Sequence, residues 1–436
     1  MAKTKTTSTK TAKTAKTAKA AKTVKAAKAA KAAAEDSGSS DASGGSETKL
    51  RLPAEAKYAE ELAYLESVDD GARPFAWRLS PRMVRTFILG SSPRDKLDRP
   101  IPQKFFGDTS LVERAIVTLA SDRGLLLIGA PGTGKSWLAE LLAAAICGDS
   151  THVVQGTAGT TEDHIKYSWN VAMVIAAGQS QESMIPSPIM TAMTRGSLGR
   201  FEELTRCSSD VQDALISILS EKYITIPELR GDGSLVYAKP GFNMIATANS
   251  RDRGVNELST ALKRRFNFVT IPIVTNKRSE RQIVQFRTRE LMARNQIEVD
   301  VPPSMLDILL QTFADLRKAM ANAQSEDQRL ESSLSTAEQI GVIEDAMLHS
   351  TFFGDTSLDP AILARSLVGT LVRRVPEDVS ILSKFWHAQA GSSGKGAKKR
   401  KKGAAKDEVT EADAPTLSPE QAAFLAGGKT ALGKIK

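Results

Sequence analysis

Gly129-Ala130-Pro131-Gly132-Thr133-Gly134-Lys135-Ser136 is the stretch on which the reading of this chain turns. The apolar run Gly124-Leu125-Leu126-Leu127-Ile128 leads directly into it, and Trp137 to Cys147, rich in Leu and Ala, follows. The order is therefore strand, glycine-rich turn, helix. Glycines let the backbone curl with its N–H groups facing inward around a phosphate, and the positive end of the next helix falls on the same point. In such a loop Lys135 reaches the terminal phosphates of a nucleotide, and the Ser136 hydroxyl is a ligand for Mg²⁺.

The rest of the chain sets bounds on what surrounds that loop. At 436 residues there is room for about three domains or segments. No apolar run approaches the roughly 20 residues a membrane span needs, and the N-terminus carries no apolar leader. Only Cys147 and Cys207 occur, without a CxxC pair, and four scattered His residues make no metal-ligand cluster. A soluble, cytoplasmic protein is expected. The net charge of +9 sits at the ends: residues 1–50 hold eleven Lys against four acidic residues, and residues 391–436 hold ten basic against five acidic. The body between them is mildly acidic.

Residues 1–34 are nearly all Ala, Lys and Thr, with Lys every third position from 10 to 31. That period builds no fixed helical face and offers almost nothing to bury, so a disordered tail is expected. Lys398-Lys399-Arg400-Lys401-Lys402 reads in the same way. Two readings fit these runs: solvated, electrostatically sticky tails, or arms for nucleic acid or an acidic partner.

From Pro53 the composition becomes that of a folded chain. Residues 54–67 carry helical spacing, and Ser80-Pro81 ahead of Met83, Val84, Phe87 and Ile88 predicts a capped helix. The heptapeptide Phe-Phe-Gly-Asp-Thr-Ser-Leu occurs at 105–111 and at 352–358, and is expected to cap a helix both times. After the glycine-rich loop come a short strand at 152–155, a mostly helical stretch from 160 to 178, and a helix from Pro186 to Met193. Glu202-Glu203 then closes a strand. Such a pair is either a solvated surface or the two carboxylates of a nucleotidase site, one beside the Mg²⁺ shell and one polarising the attacking water. A helix at 210–221 and a β-hairpin around Gly231–Ser234 follow. A buried strand then ends at Asn249, whose amide is either a turn former or a contact to water and γ-phosphate. Arg264 and Arg265 precede the last strand, either as surface charge or as groups reaching a neighbouring subunit's phosphate.

In this order of parts the chain resembles the AAA+ ATPases of the MoxR type. The resemblance covers about residues 100–275 with specific motifs and the helices after them more loosely. It implies a five-stranded parallel P-loop sheet between helices, a helix insert before the Glu-Glu pair, a hairpin before Asn249, and an α-helical lid. The expected divisions are a disordered tail (1–50), a helical extension (51–100), the α/β domain (101–275), the lid (276–388) and a basic, mostly disordered tail (389–436). By the same resemblance, residues Gly129 to Ser136 with Trp137 bind ATP, and Ser136 and Glu202 hold Mg²⁺. Glu203 is the catalytic base, Asn249 senses the γ-phosphate, and Arg265, or else Arg264, acts across a subunit boundary. A homo-oligomeric ring, usually hexameric, is implied, as is a client protein, often one with a von Willebrand factor A domain. Two departures stand out. Glu202 replaces the usual Asp, which is expected to move the carboxylate outward and slow hydrolysis. Ala337 falls where a lid arginine belongs, leaving Arg365 as a substitute. Two rival functions follow: a nucleic-acid-stimulated ATPase, and a nucleotide-gated scaffold with little hydrolysis.

Overall fold

The computed structural model describes residues 50–250, 256–323, 325, 329–354, 357–395 and 417–435. The expectations for residues 1–49 and for Lys398–Lys402 lie outside these. Among the described residues four α-helices precede the first strand: α1 (Ala54–Lys57), α2 (Ala59–Ser67), α3 (Pro81–Leu89) and α4 (Thr109–Leu119). Helix α3 starts as its sequence dictates, with Pro81 in the first turn and the Ser80 hydroxyl accepting from the Met83 N–H. Then come β1 (Gly124–Gly129), α5 (Lys135–Cys147), β2 (Val153–Gln155), β3 (Tyr167–Trp169), α6 (Val171–Ala177), β4 (Met184–Pro186), α7 (Pro188–Arg195) and β5 (Leu198–Glu202). The α/β part finishes with α8 (Ser209–Glu221), β6 (Tyr223–Thr225), β7 (Leu235–Tyr237), β8 (Asn243–Asn249), α9 (Thr260–Lys263) and β9 (Phe266–Ile271).

The main sheet has the order β2-β5-β8-β1-β9, every neighbouring pair parallel. Strand β1, between β8 and β9, is apolar throughout because both faces are covered. Alternation along it sorts the side chains: Leu125 and Leu127 pack with α3, α4 and α5, while Leu126 faces the α7 and α8 side. The parallel register brings Gly129 beside Asn249 and Gln155 beside Glu202, so the carboxyl ends of β1, β5 and β8 share one edge. The five-stranded parallel sheet between helices is thus as expected.

A helical region follows: α10 (Lys277–Asn295), α11 (Pro303–Ala321), α12 (Thr336–Phe353), α13 (Pro360–Leu371), α14 (Glu377–Lys395) and α15 (Pro419–Lys434). Its core gathers Leu309, Phe313, Val342, Ile343, Leu363, Leu367 and Trp386. Part of the expected C-terminal tail belongs here. Helix α14 runs on to residue 395, and α15 buries Phe424 and Leu432, with the Phe424 ring stacked on Trp386 at 6.0 Å. The expectation of a mostly disordered 389–436 therefore fails for residues 389–395 and 417–435.

Two further local expectations need correction. The mostly helical 160–178 is instead a turn at Glu162–His164, strand β3 and the short α6, with β3 pairing antiparallel to β4. Tyr167 and Trp169 favour a strand; Asn170 then caps α6 and Gly178 ends it. The insert before the Glu-Glu pair is thus a helix held between two short strands. The repeated heptapeptide takes two structures. At 105–111 Asp108 caps α4 by accepting from the Ser110 N–H. At 352–358 the two phenylalanines end α12, and the next helix is capped by Asp359. Phe105 is buried, whereas Phe352 and Phe353 are exposed.

Candidate active site

The loop between β1 and α5 takes the curled form its glycines allow, with Gly132 at φ 75° and Gly134 at φ 85°. A side chain at 132 would meet Ser335 and Ala337, since an added Cβ falls 2.3 Å from the Ser335 Oγ. The start of α12 therefore rests on this loop, and the Ser333 hydroxyl donates to the Pro131 carbonyl at 3.4 Å. Lys135 is buried, and its ammonium donates to the Gly129 and Ala130 carbonyls at 3.0 and 2.9 Å. Thr133 Oγ1 closes the turn on the Ala130 carbonyl at 2.9 Å. Trp137 donates its indole N–H to the Lys104 carbonyl, which ties α5 to the segment before α4.

Glu202, at the end of β5, is buried and lies against the start of α5. Its Oε2 accepts from the Ser136 hydroxyl at 2.6 Å and from the Thr247 hydroxyl at 2.7 Å, and its Oε1 accepts from Arg200 Nη2 at 2.8 Å. The longer side chain does not carry the carboxylate away from Ser136, contrary to expectation. Glu203 takes the left-handed conformation at φ 55°, and its N–H donates to Thr247 Oγ1 at 3.0 Å. Its carboxylate Oε2 pairs with Arg206 Nε at 2.5 Å. Asn249 ends β8 beside Gly129, half-buried.

Mg²⁺ takes hard oxygen ligands, few of them from protein and the rest from water and phosphate. Ser136 Oγ and Glu202 Oε2 form such a donor pair at the loop, so the residues present fit the ion. Among the described residues no group of three or more His, Cys, Asp or Glu side chains gathers as a metal cage, which an ion held largely by phosphate does not need.

The remaining sequence candidates lie elsewhere. Arg265 donates through Nε to Ser220 Oγ at 2.8 Å and through Nη1 to the Ala261 carbonyl at 2.7 Å, and Arg264 beside it is exposed. Both stand at the α9–β9 junction, apart from the Ser136 cluster. Ala337 does lie at the glycine-rich loop, but Arg365 is exposed on α13. The arginine that reaches this end of α12 is Arg373, whose Nη2 donates to Glu338 Oε1 at 2.8 Å. Three neighbours escaped the sequence reading: Arg200, Arg206 and Thr247. Arg200 was legible, because a residue two before Glu202 on a strand shares its face. Thr247 was not, because the pairing of β5 with β8 is non-local.

Residues 124–266 match the family model of the AAA domain, dynein-related subfamily, and residues 278–402 match that of the YehL-like AAA+ ATPase C-terminal domain. The chain is 42% identical over 342 residues to the protein YehL of Escherichia coli (strain K12), covering 78% of this chain and 93% of that protein. The chain belongs to the YehL-like family of AAA+ ATPases. The resemblance read from the motifs is borne out. YojN of Bacillus subtilis (strain 168) is 27% identical over 168 residues, 38% of this chain and 53% of YojN. The structure of NtrX from Brucella abortus in complex with ADP superposes with a TM-score of 0.43 at 13% identity, covering 65% of this chain and 59% of NtrX. Among the described residues of this YehL-like chain no helix is long and apolar enough to cross a membrane.

Proposed function

We propose that this chain is a Mg²⁺-dependent ATP hydrolase of MoxR type that assembles into a ring, in the cytoplasm, and couples its nucleotide cycle to remodelling a partner protein. The observation that carries the reading is the 2.6 Å contact between Ser136 Oγ and Glu202 Oε2, made with Asn249 in register beside Gly129. In this reading Lys135 leaves its loop carbonyls for the β- and γ-phosphates, and backbone N–H groups of Gly132 to Ser136 hold the β-phosphate. Ser136 and Glu202 would hold Mg²⁺, which would supply positive charge to offset that of the nucleotide phosphates. Glu203 accepts a proton as water attacks the γ-phosphorus; the bond to the ADP oxygen breaks, giving ADP and phosphate. Asn249 orients that water, and Arg265 or Arg264 of an adjacent subunit meets the charge developing on the γ-phosphate. The client class, including von Willebrand factor A domains, rests on the family resemblance alone.

A nucleotide-gated scaffold is the second reading, favoured by one observation: the Glu203 carboxylate is held by Arg206. Steady-state turnover measured beside mass in solution separates the two. For the hydrolase, Lys135→Ala and Glu203→Gln abolish turnover, Glu203→Gln still binds ATP, and Arg265→Ala or Arg264→Ala mixed into wild type poisons it. A wild-type ring that binds ATP and never turns over would establish the scaffold instead.

A further inference from the structure

Arg200 and Glu202 stand two residues apart on β5 and point to the same face, with side chains only 8% and 7% exposed. The guanidinium makes three contacts at once. Nη1 donates to the Ser150 carbonyl at 3.0 Å, and Nη2 donates to the Ser136 carbonyl at 3.2 Å and to Glu202 Oε1 at 2.8 Å. Its Nε is buried without a partner among the described residues. Ser136 is thus gripped from two sides, its carbonyl by Arg200 and its hydroxyl by Glu202 Oε2. The two carboxylate oxygens are divided between an arginine and the serine at the head of α5. An aspartate at 202, one methylene shorter, would reach less far toward both partners from the same backbone.

We propose that Arg200 is a positioning residue for Glu202: it holds Oε1 so that Oε2 faces Ser136. It also cancels the carboxylate's charge, so that a divalent cation is taken up with nucleotide phosphate and not by the nucleotide-free site. The inference rests on the reading of Ser136 and Glu202 as metal ligands. The physical basis is that a fork-shaped, always-charged guanidinium fixes a carboxylate in one orientation. With water excluded, its charge opposes an incoming cation far more than it would at a surface. Nucleotide phosphates reverse that balance by adding negative charge on the Lys135 side. Glu at 202 is then the partner that Arg200 requires, and not a weakened Asp.

The test uses the full chain and Mn²⁺ as probe, with free Mn²⁺ read by electron paramagnetic resonance, with and without ADP. Wild type should bind Mn²⁺ at least roughly tenfold more tightly with ADP than without. Arg200→Lys keeps the charge and loses the fork, so Mn²⁺ binding with ADP should weaken by roughly tenfold to a hundredfold, with no gain in its absence. Arg200→Gln should narrow the difference by tightening Mn²⁺ binding without nucleotide. Glu202→Asp should weaken metal binding with ADP. Wild-type metal affinities in Arg200→Lys, or tighter binding in Glu202→Asp, would overturn the proposal, and those two variants decide it if Arg200→Gln does not fold. A wild type that binds no ADP would remove the proposed function, while a gain of nucleotide-free Mn²⁺ binding in Arg200→Gln would still support the charge effect.

Discussion

Thr247 uses one hydroxyl twice, donating to Glu202 Oε2 at 2.7 Å and accepting the Glu203 N–H at 3.0 Å. It therefore joins the buried carboxylate of β5 to the left-handed turn that aims the next one. Replacing it with Val keeps the shape and leaves a buried carboxylate short of a donor and a backbone N–H short of an acceptor. Unmet groups of this kind cost about 1–3 kcal/mol. Thr247→Val should lower stability by that amount, seen as a lower urea midpoint with an unchanged slope. Turnover should fall with it, because the Glu203 turn loses its anchor, while Thr247→Ser should retain both. A Val variant that unfolds at the wild-type urea concentration would show that the two contacts carry no weight.

At the scale of the element, α15 shows how a helix is kept in place by what its residues lack. An added Cβ at Gly427 would fall 2.7 Å from Ala361 Cα, and one at Gly428 2.2 Å from Trp386 Nε1, so both glycines are set by close approach to α13 and α14. Two opposing effects can be weighed here. Gly to Ala in a helix gains about 1 kcal/mol from propensity, whereas forcing a methyl into a filled site costs about 1–3 kcal/mol. Gly428→Ala should therefore destabilise, and Gly369→Ala on α13, where nothing among the described residues lies within 4 Å, should stabilise by up to about 1 kcal/mol. Thermal midpoints moving the same way for both would contradict the packing argument. The same helix marks a limit of sequence reading. Its Gly-Gly pair and its few apolar residues argue against a packed element until Trp386 is seen facing them. The strand–loop–helix around Lys135 was legible because its requirement is local, and so were the positions of Glu202, Glu203 and Asn249 at the ends of later strands, by their order after it. The heptapeptide at 105–111 and 352–358 marks the opposite case. Identical residues start one helix and end another, because burial of Phe105 is decided by α3 and α5 and not by the seven residues themselves.

Across the whole described molecule, the N-terminal helices connect the nucleotide-loop helix to the helical region. The Ala54 N–H donates to Glu140 of α5, and the Glu55 carboxylate accepts from the Ser150 N–H. Lys57 pairs with Glu290 of α10, and the Tyr58 hydroxyl donates to the same Glu290 Oε1 at 3.0 Å. The Tyr58 ring lies edge-on to Phe87 and Trp137 at 5.8 and 6.3 Å, with the buried Lys104 ammonium over its other side at 4.9 Å. Burial lowers the Lys104 pKa, against the raising effect of Glu61, whose Oε2 accepts a hydrogen bond from the Lys104 ammonium at 2.6 Å. One tyrosine thus touches the extension, α3, α5 and α10. Its polar link and its ring are separable. Tyr58→Phe removes only the hydroxyl contact and should lower stability by about 0.5–1.5 kcal/mol. Tyr58→Ala empties the space between Phe87 and Trp137 and should cost about 1.5–3 kcal/mol, less than a fully buried aromatic because the ring is only partly buried. If the ring couples the parts, hydrogen exchange in Tyr58→Ala should rise together in α5 and α10. Faster exchange confined to α1 and α2 would mean that the extension holds only itself, and that α5 and α10 are joined without it, by the Arg287 guanidinium over the Trp137 ring at 5.9 Å and by the contact of α12 with the glycine-rich loop.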